Sequence, residues 1–505
     1  MKKITLRLTA CIMAAILAFG LVPVSSVTAA EKAEQKNGEI SIPFTIQERN
    51  GVDVKDYFFR RGVALEKGLL YRTENICLTE NGVPIASAAE ALETYDDGSI
   101  KWVLISAVTD LKANEYKQLV IQNKSAPKGK TTYTQKHDML TVNSEKIDMT
   151  VGMNGIESLK YNGAEKLLNG SINVYVTVNG KTDYLKVTDF EVMKHTDSYI
   201  KLSVSGPVRK DITGQMYITI AEGASKIQID HRITVTNHID IESVGLTIAS
   251  PCAGKTENEI IDSDFLDIGS MQLATYDDTR FNGAIEDASK TGYVIRENSV
   301  DFSPLNNGKS FTWYDGMSRT CHLTICFDKD GENWVKTLSH LPNAKVDTNQ
   351  FIKAGMIRNT IIGGVVSEFI DSMKKVFASS TGIFEAGSYR DYNAYTGKFD
   401  DFSANVVGEL EYNLGYGYMQ TGDEDIFSAI VNASEIRSDI GVYRGMHKEM
   451  TGLMRYRMNV TRAKSEANGV GFWGSHSLYG DESGLYMAYL MTGDEWVYDS
   501  YKLCS

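Results

Sequence analysis

Between positions 226 and 235 the chain reads Lys-Ile-Gln-Ile-Asp-His-Arg-Ile-Thr-Val, a strict alternation of period two. Successive side chains of a strand point to opposite faces, so Ile227, Ile229, His231, Ile233 and Val235 share one face, which only a sheet can bury. A histidine in that row reads as a hydrogen-bonded core residue rather than a ligand. The pattern recurs at 174–178 ahead of Asn179-Gly180, at 200–204 and at 216–220. Many short strands punctuated by turns predict a large antiparallel β-sandwich over 132–350. The acidic stretch 328–332 reads as a hairpin loop within it, since it lacks the spacing of a calcium loop.

A smaller β unit is expected before the sandwich, over 39–124. Apolar segments at 40–44, 62–70 and 76–78 lead to the turn signal Asn81-Gly82, and Asp97-Gly98 is a second hairpin turn between apolar positions. Residues 125–130 are polar and carry Pro127 and Gly129, as a linker would. From about residue 378 the period changes. Val406, Val407, Leu410, Leu414 and Met419 follow helical spacing. Tyr418-Met419-Gln420-Thr421-Gly422-Asp423-Glu424 then matches Tyr489-Leu490-Met491-Thr492-Gly493-Asp494-Glu495, two copies of one helix–turn–helix junction. In each copy Gly supplies the left-handed stop, and Asp caps the next helix.

The N-terminus has the grammar of a secretory signal over residues 1–30. Lys2, Lys3 and Arg7 precede a short apolar run, Pro23 breaks it, and Val27-Thr28-Ala29-Ala30 offers small residues for cleavage. Leu8-Thr9-Ala10-Cys11 spells a lipobox but precedes the apolar run it should follow, so a lipid anchor is not expected. Residues 31–38 form a charged leader. No later stretch is long and apolar enough for a membrane helix. The net charge of −13 becomes more negative once the signal's three basic residues are removed. Such a chain lacks the electrostatic footprint of a nucleic-acid or anionic-membrane binder, and it repels polyanions at long range. The 26 tyrosines suit strands and sugar-stacking clefts alike. Five cysteines remain after cleavage, an odd number without zinc spacing, and they read as small buried hydrophobes.

Arg61-Gly62-Val63, Gly82-Val83-Pro84 and Asp97-Gly98-Ser99-Ile100-Lys101-Trp102-Val103, followed by the two Thr-Gly-Asp junctions, resemble the exo-rhamnogalacturonan lyase-like (YetA-like) family. Ala64, Glu66 and Ala86 depart from its pattern. The resemblance implies a multidomain chain, β then α: a small RIFT-type β-barrel, a large antiparallel β-sandwich and an (α/α) toroid. Here the toroid is expected to be partial over 378–505, because about 125 residues hold only about two αα-hairpins. Truncation of that kind predicts an incomplete ring, with the apolar side chains of 404–420 and 482–501 partly open to solvent.

The implied activity is a secreted polysaccharide lyase cleaving rhamnogalacturonan or pectic uronides by β-elimination. That chemistry needs a cation to neutralise the uronate, a base for the C5 proton and an acid for the leaving oxygen. The segments 389–392, 443–448 and 472–479 hold these residue types. His476, Tyr479 and His447 are the candidate catalytic residues, and Arg390, Tyr392, Arg444, Lys448 and Trp473 the candidate substrate-binding ones. No metal ligands are assigned, and calcium stays open as a cofactor that no motif indicates. Asp423/Glu424 and Asp494/Glu495 are accounted for as helix starts. Two other readings stand beside the lyase: a glycoside hydrolase on the same architecture, which needs paired carboxylates in the cleft, and a non-catalytic carbohydrate-binding or cell-surface protein.

Overall fold

The computed structural model describes residues 37–252, 254–276, 292–303, 310–313, 315–357, 392–393, 398–399, 410–455, 472–473 and 482–505. The chain divides into two units, Met1–Asn37 and Gly38–Ser505. Every described strand and helix belongs to the second unit.

The first β portion forms two sheets. One runs in the order Asn343–Val346, Ser41–Gln47, Tyr116–Gln122, Cys77–Glu80 and Val83–Pro84; the other places Ile100–Leu111 between Val54–Ala64 and Ser87–Thr94. The expected RIFT-type closed barrel is therefore corrected: the strands belong to separate sheets, and one of them is supplied from beyond the sandwich. Asn81-Gly82 takes the left-handed conformation at both residues (φ 51° and 77°), as a tight hairpin requires. Asp97-Gly98 likewise turns the chain between Ser87–Thr94 and Ile100–Leu111, with Ser99 N–H donating to the Asp97 carboxylate at 3.0 Å.

The sandwich is as the alternation predicts. An eleven-stranded and a seven-stranded antiparallel sheet enclose a core that includes Ile227, Ile229, Ile233 and Val235. His231 is buried with them, but its expected hydrogen bond is absent: among the described residues neither ring nitrogen has a partner. Burial, reinforced by nearby His322, pushes its pKa down to about 3, so the imidazole is neutral and packs edge-on to Phe302. The 328–332 stretch is corrected as well. Asp330 stands at the N-terminus of a helix, α1 (Gly331–Ser339), so the segment joins a strand to a helix rather than to a second strand. The five cysteines among the described residues are buried, and no disulfide joins any two of them.

After a short helix, α2 (Asn349–Lys353), the described helices are α3 (Leu410–Thr421), α4 (Glu424–Ile436), α5 (Glu482–Thr492) and α6 (Glu495–Cys504). Both junctions have the expected geometry. Gly422 and Gly493 are left-handed (φ 62° and 65°), while the Asp423 and Asp494 side chains accept from the first backbone N–H groups of α4 and α6. The described residues form two αα-hairpins and no toroid. The predicted exposure of apolar faces is seen only in part among the described residues: Tyr416 is exposed and Tyr486, Met487, Tyr489, Trp496 and Tyr498 are half-buried. Leu414, Met419, Leu485, Met491 and Val497 are buried, because the helices lay them against the first β portion and share its core. Gly62 makes the closest of these contacts possible, since a Cβ there would lie 1.7 Å from the Leu490 carbonyl oxygen.

Candidate functional site at the roofed face of the sandwich

In the seven-stranded sheet, Tyr199–Arg209, Ile212–Ala221, Lys226–Val235 and Ser318–Cys326 lie side by side. The residues that alternate with the core row form a polar second face. Register places Lys201 beside Thr219, Tyr217 beside Asp230, Asp230 beside His322, and Arg232 beside Thr320. Such a face would ordinarily meet water. Here the last turn of α4, the π-helical turn Arg437–Gly441 and α6 cover part of it, and Lys201, Arg232, Thr320 and Asp439 are buried. Charges held this way must be paired.

Arg232 donates to Thr320 Oγ1 (2.8 Å) and to the Tyr217 hydroxyl (2.9 Å), and its Nε lies 3.4 Å from Asp439. The Asp439 carboxylate accepts from Thr320 N–H (2.6 Å) and the Trp496 indole (3.0 Å). Burial raises its pKa, and Arg232 offsets part of that. The Trp496 ring is stacked between Arg232 (3.5 Å) and Arg444 (3.9 Å). Burial, then the neighbouring Arg232, lowers the Arg444 pKa to about 10. A second group holds Glu495 between Lys201 (2.6 Å) and Arg60 (3.3 Å). Burial alone would raise the Glu495 pKa; the two cations overcome it and bring it down to about 2.

The third group is the open one. His322 Nδ1 lies 2.6 Å from Asp230 Oδ1, and its Nε2 lies 3.0 Å from Glu435 Oε2. Each contact is a hydrogen bond when one proton lies between the two groups, whether on the ring nitrogen or on the carboxyl. The His322 and Asp230 side chains are 35% and 32% exposed, so solvent or ligand reaches them. Burial pushes the Asp230 pKa up, but His322, Lys201 and Arg232 outweigh it and set it at about 2. Asp230 and Glu435 line a cavity of about 260 Å³ together with Arg60, Lys201 and Gln228 on its polar side and Phe58, Trp334 and Phe427 on its apolar side. The arrangement therefore presents two carboxylates bridged by an imidazole beside an apolar wall. That set can give and take protons.

The residues expected from sequence fall elsewhere. Arg444 is half-buried; its guanidinium donates to the carbonyls of Ser438 and Val442 and to Ser500 Oγ, besides stacking on Trp496. His447 and Lys448 are exposed neighbours on a segment fastened to the sandwich by Asp315, which accepts from Met446 N–H and from the Tyr443 hydroxyl. Gly445 fits there because a Cβ would come within 2.0 Å of the Asp315 carboxylate. Tyr392 pairs with Phe399, and Trp473 with Met454, in two-residue strands. Arg390, His476 and Tyr479 lie outside the described residues. Sequence reasoning missed Asp230, His322 and Glu435, and took Glu495 only as a helix start. The alternation of 226–235 puts Asp230 on the face opposite the core row, where a charge is ordinary, so the pattern carried no signal for it. Among the described residues no cluster of His, Cys, Asp and Glu has the form of a metal site, and no helix is long and apolar enough to cross a membrane.

No family model and no curated protein matches the chain. The chain has a distant likeness to solved structures at low identity. One is a protein in glycosyl hydrolase family 38 from Enterococcus faecalis, 10% identical with a TM-score of 0.41, aligned over 61% of this chain and 47% of that one. Another is an alpha-mannosidase from Enterococcus faecalis V583, 9% identical with a TM-score of 0.38, aligned over 61% and 46%. The chain thus spans less than half the length of each. The exo-rhamnogalacturonan lyase-like resemblance is corrected by these findings: no family model supports it, and these structural neighbours are glycosyl hydrolase proteins rather than rhamnogalacturonan lyases.

Proposed function

We propose that the protein is an exported carbohydrate-active enzyme that cleaves glycosidic bonds in a polysaccharide or oligosaccharide, with its reaction centre at Asp230, His322 and Glu435. The observation that carries this reading is that Asp230 and Glu435, bridged by the half-exposed His322, line one cavity. Glycoside hydrolysis needs one group to protonate the leaving oxygen and a carboxylate to act as base or nucleophile. Asp230, held ionised by its cationic neighbours, suits the second role. Glu435, hydrogen-bonded to the imidazole, suits the first, with His322 relaying the proton. Phe58, half-buried beside them, supplies an aromatic face on which a sugar ring can stack.

Hydrolysis fits better than β-elimination because the cations lining this cavity are already paired, Lys201 and Arg60 with Glu495 and Arg61 with Glu424. A lyase acting on rhamnogalacturonan-type uronides is the second reading. The exposed pair His447 and Lys448 favours it, as a base beside a cation, with Arg390, Tyr392, Arg444, Trp473, His476 and Tyr479 as its further residues. The purified protein, incubated with mannan, xylan, rhamnogalacturonan and polygalacturonate, separates them. Hydrolysis releases reducing ends without ultraviolet absorbance, whereas elimination adds the absorbance of an unsaturated uronide. Glu435→Gln and His322→Ala should each lower turnover by a factor on the order of 100 or more without changing the circular dichroism spectrum. Full turnover in both variants would remove this site from consideration, and absence of turnover on every polymer would refute the enzymatic reading.

A further inference from the structure

On the other side of the sandwich, the eleven-stranded sheet carries two adjoining hollows of about 510 and 560 Å³ that share Tyr184. Each has the size of an ordinary ligand site. They lie across the strands Ile172–Val178, Lys181–Tyr184, Ser243–Ile248 and Val300–Ser303, whose outer face is lined with hydroxyls, an amide and charged groups. Tyr184 is directly opposite Tyr175 in the register and is 47% exposed, so part of its ring is open between the hollows. Asn173 gives a second and independent sign. It is 5% exposed and lines one hollow, and its Nδ2 donates to the Leu185 carbonyl while Oδ1 is buried without a partner among the described residues. Buried polar atoms rarely stay unpaired, so this oxygen marks a place for a ligand donor.

We infer that this groove is a second glycan-binding site, separate from the cleft, for a neutral oligosaccharide of two or more rings. An open aromatic face between two polar hollows matches the alternation of a sugar, whose C–H faces stack while its hydroxyls need donors and acceptors. Arg296, paired with Asp301 at 2.8 Å, and the Glu242 carboxylate supply fixed partners of both kinds. Charge sets the class of sugar. Glu157, Glu242 and Asp301 outnumber Arg296 along the groove, which disfavours a uronate and leaves a neutral chain as the fitting ligand. The inference stands on the groove's own residues and does not depend on the chemistry of the cleft.

The test is isothermal titration of the whole chain with mannohexaose, xylohexaose, cellohexaose and hexagalacturonate, repeated for Tyr184→Ala and for Glu435→Gln. Binding of at least one neutral hexasaccharide is expected, with hexagalacturonate at least tenfold weaker. Tyr184→Ala should weaken that binding about tenfold or more and leave any turnover of short substrates unchanged, while Glu435→Gln leaves the binding intact. Binding to no neutral probe, tighter binding of hexagalacturonate, or wild-type affinity in Tyr184→Ala would overturn the assignment. Binding lost in Glu435→Gln and kept in Tyr184→Ala would place the sugar in the cleft and likewise overturn it.

Discussion

Glu495→Gln removes the charge that holds Lys201 and Arg60 while keeping the side chain's size, and its cost can be worked from the structure. The Glu495 side chain is 14% exposed, and its two cations bring its pKa from an ordinary 4.5 to about 2. A folded-state value below the unfolded one means that the unfolded chain binds more protons between the two, so the stabilisation is complete above about pH 4.5 and is lost as pH falls toward 2. At about 1.4 kcal/mol per unit the shift amounts to about 3 kcal/mol, in line with the cost of breaking a buried ion pair. Urea unfolding of wild type and Glu495→Gln, followed by tryptophan fluorescence from pH 3 to pH 8, is the assay. The difference should be flat at about 3 kcal/mol above pH 5 and shrink by about 1.4 kcal/mol per pH unit below 4.5. A cost under about 1 kcal/mol at pH 7, or one that ignores pH, would refute the claim that this carboxylate is held ionised by its neighbours.

Glu424, the counterpart of Glu495 in the other junction, should behave oppositely. Burial raises its pKa to about 7 despite Arg61, so stability falls as pH rises from 4.5 to 7; Glu424→Gln should match wild type near pH 4.5 and exceed it by up to about 3 kcal/mol at pH 8, and a net loss at pH 8 would count against this. Gly493→Ala places a Cβ 2.3 Å from Leu104 Cδ2 at a left-handed position, and the thermal midpoint should drop by an amount equivalent to about 1–3 kcal/mol. Gly62→Ala meets the Leu490 carbonyl itself and should cost more than that; an unchanged midpoint would mean that α5 does not sit on this strand. Mass spectrometry of the exported protein should find a new N-terminus at Ala30 or Glu31, and retention of residues 1–29 or a lipid on Cys11 would contradict the signal reading.

The sandwich was legible because one rule, apolar at every second position, decides which face of a strand is buried, and Ile227, Ile229, Ile233 and Val235 obey it. The Thr-Gly-Asp junctions were legible because left-handed backbone and helix capping depend on a few adjacent residues. What the sequence could not reveal depends on distant partners. Asp230 looks like any solvent-facing strand residue until α4 brings Glu435 to the far side of His322, more than 100 positions away. Glu424 and Glu495 look like ordinary first-turn acids, and only the fold brings Arg61 and Arg60 to them. The barrel expectation failed for a related reason: Asn343–Val346 is too short to announce that it pairs with Ser41–Gln47. The family resemblance rested on turn-forming residues, and turns recur across unrelated folds.

That pairing of Ser41–Gln47 with Asn343–Val346 sets a schedule for synthesis. Four of the five strands of the first sheet are complete by Gln122, yet the fifth is made roughly 220 residues later, on the order of 10–45 s at ordinary translation rates. Throughout that interval Ser41–Gln47 lacks one neighbour, and its open backbone edge can template pairing with another nascent chain. Arg60 and Arg61 wait longer still, since Glu424 and Glu495 come from the last hundred residues. Residues 38–505 made at high concentration should therefore yield more aggregate than their stability alone suggests.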